Sequence, residues 1–330
     1  MIEKRITILL KLKEYILSNE PRWLEIIEKA ERQNAWFTKA FIWQAIHSIS
    51  DAYLHEVALR SFALQFKEIE AQNVKTIGIV MAGNIPLVGF HDFLCVFLSG
   101  HTMRIKFSSK DDVIMPHLIQ NMYQWDETLR ECISASEMLK GCDAYIATGS
   151  SNSARYFDYY FAKYPSIIRR NRTSVAVLDG SESNEELSLL ADDVYQYFGL
   201  GCRNVTQLYV PEGYDFVPML NAFKKYDELK HHNKFKNNYD YHLAILMLNR
   251  QYYMTNDSVI LVEHDSVFSA ISVVNYTYYH DRENVLERLK KSEDIQAIVG
   301  KSCIPFGDAQ KPSLIDFADG VDTVAFLNSL

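Results

Sequence analysis

Hydrophobic positions along the chain fall into two textures, and the change comes near residue 70. Before it, apolar residues recur at helical spacing. Trp23, Ile26, Ile27 and Ala30 follow Pro21, which suits a first helical turn, and Trp43, Ile46, His47 and Ile49 mark a second helix. No catalytic pattern lies in this stretch. After it, short β-branched runs alternate with longer helical ones. Residues 76–82 predict a strand that ends at Gly83-Asn84-Ile85-Pro86, and 87–98 has helical length before Gly100 stops it. Residues 102–107 alternate as a strand, 111–124 predict a helix, and 143–148 predict a strand running into Gly149-Ser150-Ser151 and a further helix. This alternation predicts a parallel α/β sheet. Ligands of such sheets sit at the carboxyl ends of strands, where both Gly83-Asn84 and Gly149-Ser150 fall.

A second unit begins near Thr173 with a strand over 174–178. The acidic, serine-rich stretch 179–186 turns into a helix that ends near Phe198. A strand over 206–210 is closed by Pro211-Glu212-Gly213, and a strand over 271–276 precedes a helix over 282–292. Between the helix and the 206–210 strand lies Gly199-Leu200-Gly201-Cys202-Arg203-Asn204. Glycines let a backbone approach a substrate closely, and a neighbouring cation favours the thiolate, the nucleophilic form of cysteine. Two readings follow from the local pattern: Cys202 is a nucleophile, or it is a small cysteine buried on a tight turn.

Composition narrows the setting. A hydrophobic fraction of 48% with 23% charged residues is that of a soluble globular protein, and 330 residues suffice for a large core in two domains. The net charge of −8 argues against nucleic acid as a partner. No run approaches the roughly 20 apolar residues that span a bilayer. The apolar run 6–10 is soon broken by Lys11 and Lys13, so no signal peptide is predicted and a reducing cytoplasm is the expected location. The five cysteines form no CxxC pair, which points to free thiols rather than a disulfide framework. Twenty tyrosines and eighteen phenylalanines read as core packing in preference to an apolar substrate tunnel. His231 and His232 are adjacent, and no carboxylate or cysteine completes a ligand set around them, so no metal site is expected.

Five motifs in order carry a resemblance. They are Gly83-Asn84-Ile85-Pro86-Leu87, Gly100 to Ser108 with Lys106-Phe107-Ser108, Thr148-Gly149-Ser150, Phe198-Gly199-Leu200-Gly201-Cys202 and Pro305-Phe306-Gly307. In these segments the chain resembles the aldehyde dehydrogenase superfamily, and within it the long-chain acyl-CoA reductases of bacterial bioluminescence. The resemblance implies an aldehyde-dehydrogenase-like α/β fold: an N-terminal helical segment over 1–70, a Rossmann-type cofactor-binding domain over 71–172, and an α/β catalytic domain with a C-terminal return segment over 173–330. It implies reduction of a fatty acyl thioester to the aldehyde. Cys202 is then the nucleophile, and the amide of Asn84 with the backbone N–H of Cys202 holds the oxyanion. Lys106 and Ser108 contact the cofactor's adenosine ribose region, and Gly149 and Ser150 approach its pyrophosphate. The implied substrate is an acyl-CoA or an acyl carrier, and an acyl-protein synthetase partner and a homodimer are compatible with it.

Departures from the family pattern sharpen the expectation. Hydrolytic members carry a water-activating glutamate in Glu-Leu-Gly-Gly-Lys, where this chain has Ile168-Arg169-Arg170-Asn171-Arg172-Thr173 and no carboxylate. That argues against oxidation to a free acid. The three arginines could meet phosphates of CoA or cofactor, or form a basic surface edge. Ser266 in Ser266-Val267-Phe268 stands where typical members place a glutamate on the nicotinamide ribose. Ser109 and Lys110 follow Lys106-Phe107-Ser108, where NAD-selective members place a carboxylate, which favours NADPH with NADH still open. Two alternatives stand beside this reading: a short-chain CoA-acylating aldehyde dehydrogenase, and a non-catalytic binding or scaffold protein on a degenerate dehydrogenase fold.

Overall fold

The structure, a computed structural model, describes residues 2–330. The chain forms two compact units. One comprises the residues up to Asn171 together with Pro312–Leu330, and the other is Arg172–Lys311.

The first unit opens with four helices, α1 (Ile2–Ile16), α2 (Pro21–Gln33), α3 (Lys39–Ala52) and α4 (Glu56–Ala63). It continues through β1 (Thr76–Val80), α5 (Phe90–Ser99), β2 (Thr102–Lys106), α6 (Ile114–Trp125), α7 (Leu129–Cys132), β3 (Ile133–Ala135), β4 (Ala144–Thr148), α8 (Ser151–Phe161) and β5 (Ser166–Arg169). The five strands form one parallel sheet in the order β3-β2-β1-β4-β5. Strands β1 and β4 are apolar on both faces, as a parallel sheet covered by helices requires, while β2 alternates. Helix α5 packs on β1 and β2, and the N-terminal helices pack in turn on α5 and α6. Leu9, Leu12, Trp23, Ile27, Ile42 and Ile46 are fully buried in one continuous core with Ile77, Ile79, Phe93 and Phe97. Each such side chain contributes about 1.5–3 kcal/mol by leaving water. Pro21 begins α2 as its pattern predicts, and the Trp23 indole N–H donates to the Ile16 carbonyl at 3.0 Å.

The C-terminal segment, which ends in α13 (Thr323–Asn328), belongs to this unit and is held by polar clamps. His91 donates through Nε2 to the Leu314 carbonyl at 2.9 Å, and His101 does the same to Leu327 at 3.3 Å. His101 Nδ1 meanwhile accepts the Lys75 N–H at 3.1 Å, so both ring nitrogens are used by the neutral form, and burial lowers its pKa. The strongest clamp is Arg169. Its guanidinium, almost fully buried, pairs with both Asp92 carboxylate oxygens at 2.7 and 3.3 Å, and donates to Thr323 Oγ1 at 2.9 Å and the Ala318 carbonyl at 2.5 Å. Burial alone would lower its pKa, but Asp92 outweighs that and raises it.

The second unit runs β6 (Thr173–Val177), α9 (Asn184–Tyr195), β7 (Val205–Pro211), α10 (Phe216–Ala222), α11 (Asn233–Leu248), β8 (Met254–Thr255), β9 (Ile260–Glu263), β10 (Val273–Tyr279), α12 (Arg282–Lys290) and β11 (Ile295–Val299). Its sheet has the order β11-β6-β7-β10-β9-β8, parallel except for the short antiparallel edge strand β8. Strands β3, β5, β9 and β11 are additions to the elements predicted from the sequence. The two-residue edge strand β8 is a further addition.

Arg169→Met leaves the Asp92 charge buried without its partner, and is expected to destabilise the protein by about 3–5 kcal/mol. Arg170→Met removes only the exposed pair with Asp158 and should cost no more than about 1 kcal/mol. Urea unfolding of both variants reads the contrast directly.

Candidate active site

The register of the first sheet brings the candidate cofactor residues to one edge. Val80 pairs with Lys106 on one side and with Ala147 on the other, so β1, β2 and β4 end level with one another. Asn84, Lys106, Ser108, Gly149 and Ser150 therefore all lie at or just beyond the carboxyl ends of the three central strands. Lys106 is exposed there, and its carbonyl accepts the Met81 N–H at 3.0 Å. The two loops leaving β1 and β2 pack tightly. A Cβ on Gly83 would sit 2.6 Å from Ser108 Oγ, so only glycine fits. Asp111 joins the same loops: its N–H donates to the Ser108 carbonyl at 2.9 Å, while its Oδ2 accepts the Leu87 N–H at 2.9 Å. Leu87 closes the Asn84-Ile85-Pro86-Leu87 turn in the left-handed region, at φ 58°. Asp111 Oδ1 is buried with no hydrogen-bond partner, and burial pushes this carboxyl up to about 7.

At the end of β4, Ser150 caps α8 by accepting the Ser153 N–H at 3.3 Å. A Cβ on Gly149 would lie 2.9 Å from Phe157 and Ser153, so glycine lets the strand turn straight into the helix. An exposed ammonium, a hydroxyl and a helix N-terminus at one sheet edge form a donor set that fits an anionic dinucleotide. Tyr156, Tyr159 and Tyr160 are exposed on α8 and line an open cavity of about 570 Å³ with Asn152 and Arg155. The largest fully buried side chains, among them Tyr195, Tyr276, Phe93 and Phe198, serve as core, as the sequence reading favours.

The second unit holds Cys202. Helix α9 is started by a reciprocal capping box between Ser183 and Glu186. It ends in three consecutive left-handed residues, Tyr197 (φ 53°), Phe198 (φ 58°) and Gly199 (φ 74°). For the two aromatic residues this costs roughly 1–2 kcal/mol each. Burial of their rings offsets it: Phe198 packs against His232 with centroids 4.4 Å apart and against Phe235 at 5.8 Å. The half-buried Cys202 follows. Its carbonyl accepts the Ser174 hydroxyl at 3.0 Å, and the preceding Gly201 N–H donates to Asn204 Oδ1 at 2.8 Å. Arg203 reaches the Ala309 carbonyl at 3.5 Å. The Pro305-Phe306-Gly307 segment is held by Asp193, whose carboxylate accepts the N–H groups of Gly307 at 2.7 Å and Ala309 at 3.0 Å. Burial pushes Asp193 up to about 7 as well.

Several sequence readings are refined by this geometry. Arg169 is a buried clamp on Asp92, Arg170 pairs with Asp158, and Arg172 donates to the Ile295 carbonyl at 3.3 Å. Ser266 turns its hydroxyl onto the Phe268 carbonyl of its own loop at 2.9 Å. The five cysteines are free thiols, and burial pushes Cys95 well above the usual range. Asp111, Asp193, Asn204 and Ser174 were not singled out from the sequence. Only Asn204 carried a local signal, by ending the Gly-Leu-Gly-Cys-Arg-Asn turn.

Two parallel α/β sheets of this kind occur in solved aldehyde dehydrogenases, which share the fold. PutA of Anabaena variabilis is similar over 99% of this chain and 86% of its own, with a TM-score of 0.65 and 14% identity. An NAD+-complexed aldehyde dehydrogenase from Bacillus cereus matches over 91% and 71%, with a TM-score of 0.66 and 13% identity. An NADP-dependent enzyme of E. coli matches over 91% and 73%, with a TM-score of 0.63 and 11% identity. These likenesses concern the fold. The acyl-CoA reductase (LuxC) family matches residues 49–219, just over half of the chain. The chain belongs to that family. No curated protein matches it in sequence. Family and fold support an aldehyde-related oxidoreductase. No helix among the described residues is long and apolar enough to cross a membrane.

The raised Asp111 carboxyl gives a pH signature. Its value when unfolded is 3.8 and when folded about 7, so its contribution is fully present below the first and is lost as pH rises through the second. Asp111→Asn cannot ionise. Relative to that variant, the wild type should lose roughly 2 kcal/mol of stability between about pH 5.5 and 8. Urea midpoints of both proteins across that range test it, and parallel curves would refute it.

Proposed function

We propose that this chain reduces a fatty acyl thioester to the aldehyde through an acyl-enzyme on Cys202. The observation that carries the reading is a half-buried cysteine on a strained, hydrogen-bonded turn in a member of the acyl-CoA reductase family. The Cys202 thiolate, favoured by the neighbouring Arg203, attacks the thioester carbonyl carbon. The oxyanion that forms is held by the Asn84 amide and the Cys202 N–H. Collapse of this tetrahedral species breaks the carbon–sulfur bond to CoA or carrier, which leaves as thiolate, and the acyl group stays on Cys202. When bound, a nicotinamide cofactor supplies the hydride that reduces this enzyme thioester to a hemithioacetal. Expulsion of the Cys202 sulfur then yields the aldehyde and frees the thiol.

Lys106, Ser108, Gly149 and Ser150 are the residues proposed to hold the cofactor. The absence of a carboxylate at Ser109, with Lys110 next to it, supports NADPH, and similar folds use both NAD+ and NADP. The lack of any carboxylate over 168–173 supports a site that keeps its thioester from water until reduction. An acyl-CoA or acyl-carrier donor, an acyl-protein synthetase partner, a homodimer and a cytoplasmic location complete the proposal.

Intact-protein mass after mixing with palmitoyl-CoA tests the core of it. An acyl adduct on Cys202 should form and disappear when NADPH is added, and Cys202→Ala should show neither adduct nor aldehyde. Wild-type turnover in that variant would sink the mechanism. Asn84→Ala should retain the adduct site but lower turnover by about 100–1,000-fold, read from aldehyde formation under saturating substrate.

A further inference from the structure

The turn that carries Cys202 is stabilised by one buried side chain. Asn204 is fully buried two residues after the thiol. Its Nδ2 donates to the carbonyls of Gln196 at 2.8 Å, Asp193 at 3.1 Å and Val194 at 3.3 Å, all at the end of α9. Its Oδ1 accepts the Gly201 N–H at 2.8 Å. The partners fix the orientation of the amide: three carbonyls need the NH2 end, and one N–H needs the oxygen. The last carbonyls of a helix have no partners within it. Here a side chain meets them that also grips the residue before Cys202. Three successive left-handed residues lie between the two attachment points, and their intrinsic preference is to unwind.

Asp193 extends the same device. Its carbonyl accepts from Asn204, and its carboxylate accepts from Gly307 and Ala309. One helix end thus holds both the Cys202 turn and the Pro305-Phe306-Gly307 segment, two motifs separated by about a hundred residues in the chain.

We propose that Asn204 is a positioning residue that fixes the location of the Cys202 thiol, and that Asp193 couples this location to the 305–309 segment. The inference rests on the reading of Cys202 as the nucleophile. A misplacement of about 1 Å at a reacting group costs on the order of 100-fold in rate. Asn204→Ala should therefore lower kcat by about 100-fold, with KM for palmitoyl-CoA and NADPH nearly unchanged, the split expected when only the reacting geometry is lost. Asn204→Asp keeps the acceptor for Gly201 but turns an oxygen toward the three carbonyls, and should show the same split. So should Asp193→Asn, which keeps an acceptor for only one of its two N–H partners.

The second readout needs no turnover: the rate of iodoacetamide modification at Cys202, followed by intact mass with Cys202→Ser as blank. It should change by about tenfold or more in both Asn204 variants while their circular dichroism stays that of the wild type. Wild-type kcat and modification rate in folded Asn204 variants would overturn the proposal. So would failure of both to fold, which would make Asn204 a purely structural residue. Full turnover in Cys202→Ser would instead strike the proposed function, and the modification rates would still report whether the turn had moved.

Discussion

Burial of a parallel sheet on both faces is the constraint from which the rest of the first unit follows. Once helices cover the faces, the only polar backbone in reach of a ligand is at the strand ends. The register between β1, β2 and β4 makes those ends level, so three separate motifs of the sequence become one edge. The tight contact between Gly83 and Ser108, and the Asp111 staple onto Leu87, then fix the two loops relative to each other. The position of Asn84 is in this sense a consequence of sheet register, transmitted through a few backbone hydrogen bonds.

In the second unit the residue proposed as nucleophile lies at the opposite end of the strands. Cys202 lies just before β7, and the hydroxyl that holds its carbonyl comes from Ser174 at the start of β6. The rule that ligands gather at carboxyl ends finds the residues of the first sheet and would pass over this one. Amino ends of parallel strands present N–H groups, which suit a developing negative charge on oxygen. Carboxyl ends followed by helix N-termini suit phosphates. The two ends are different chemical surfaces.

What was legible in the sequence follows from range. Helices α2, α3, α5, α6, α8, α9 and α12 and strands β1, β2, β4, β6, β7 and β10 announce themselves through local periodicity or β-branched runs, and the motif residues through their glycine-rich turns. Strand β5 was hidden because its four residues merge with the arginine-rich stretch that follows. The polar clamps were hidden for a different reason. Asp92 with Arg169, Asp193 with Gly307, and His101 with Leu327 join residues far apart in the chain. A charged side chain in a sequence carries no mark of whether it will be solvated or buried against a distant partner. For that reason the sequence leaves Arg169 open between a phosphate contact and a basic surface edge, whereas it is buried against Asp92.

Its burial also bears on the chemistry. In hydrolytic relatives the matching segment offers a carboxylate that can take a proton from water. Here the first arginine of the segment is locked to Asp92, and Asp92 raises its pKa, so it cannot serve as a base. Arg170 is held by Asp158 and Arg172 donates to a backbone carbonyl. The segment 168–173 therefore offers no side chain that can accept a proton. Under the proposed function this is the property that separates a reductase from a hydrolase. Within this chain the first arginine of the segment serves instead to hold the C-terminal return in place, through Asp92, Thr323 and the Ala318 carbonyl.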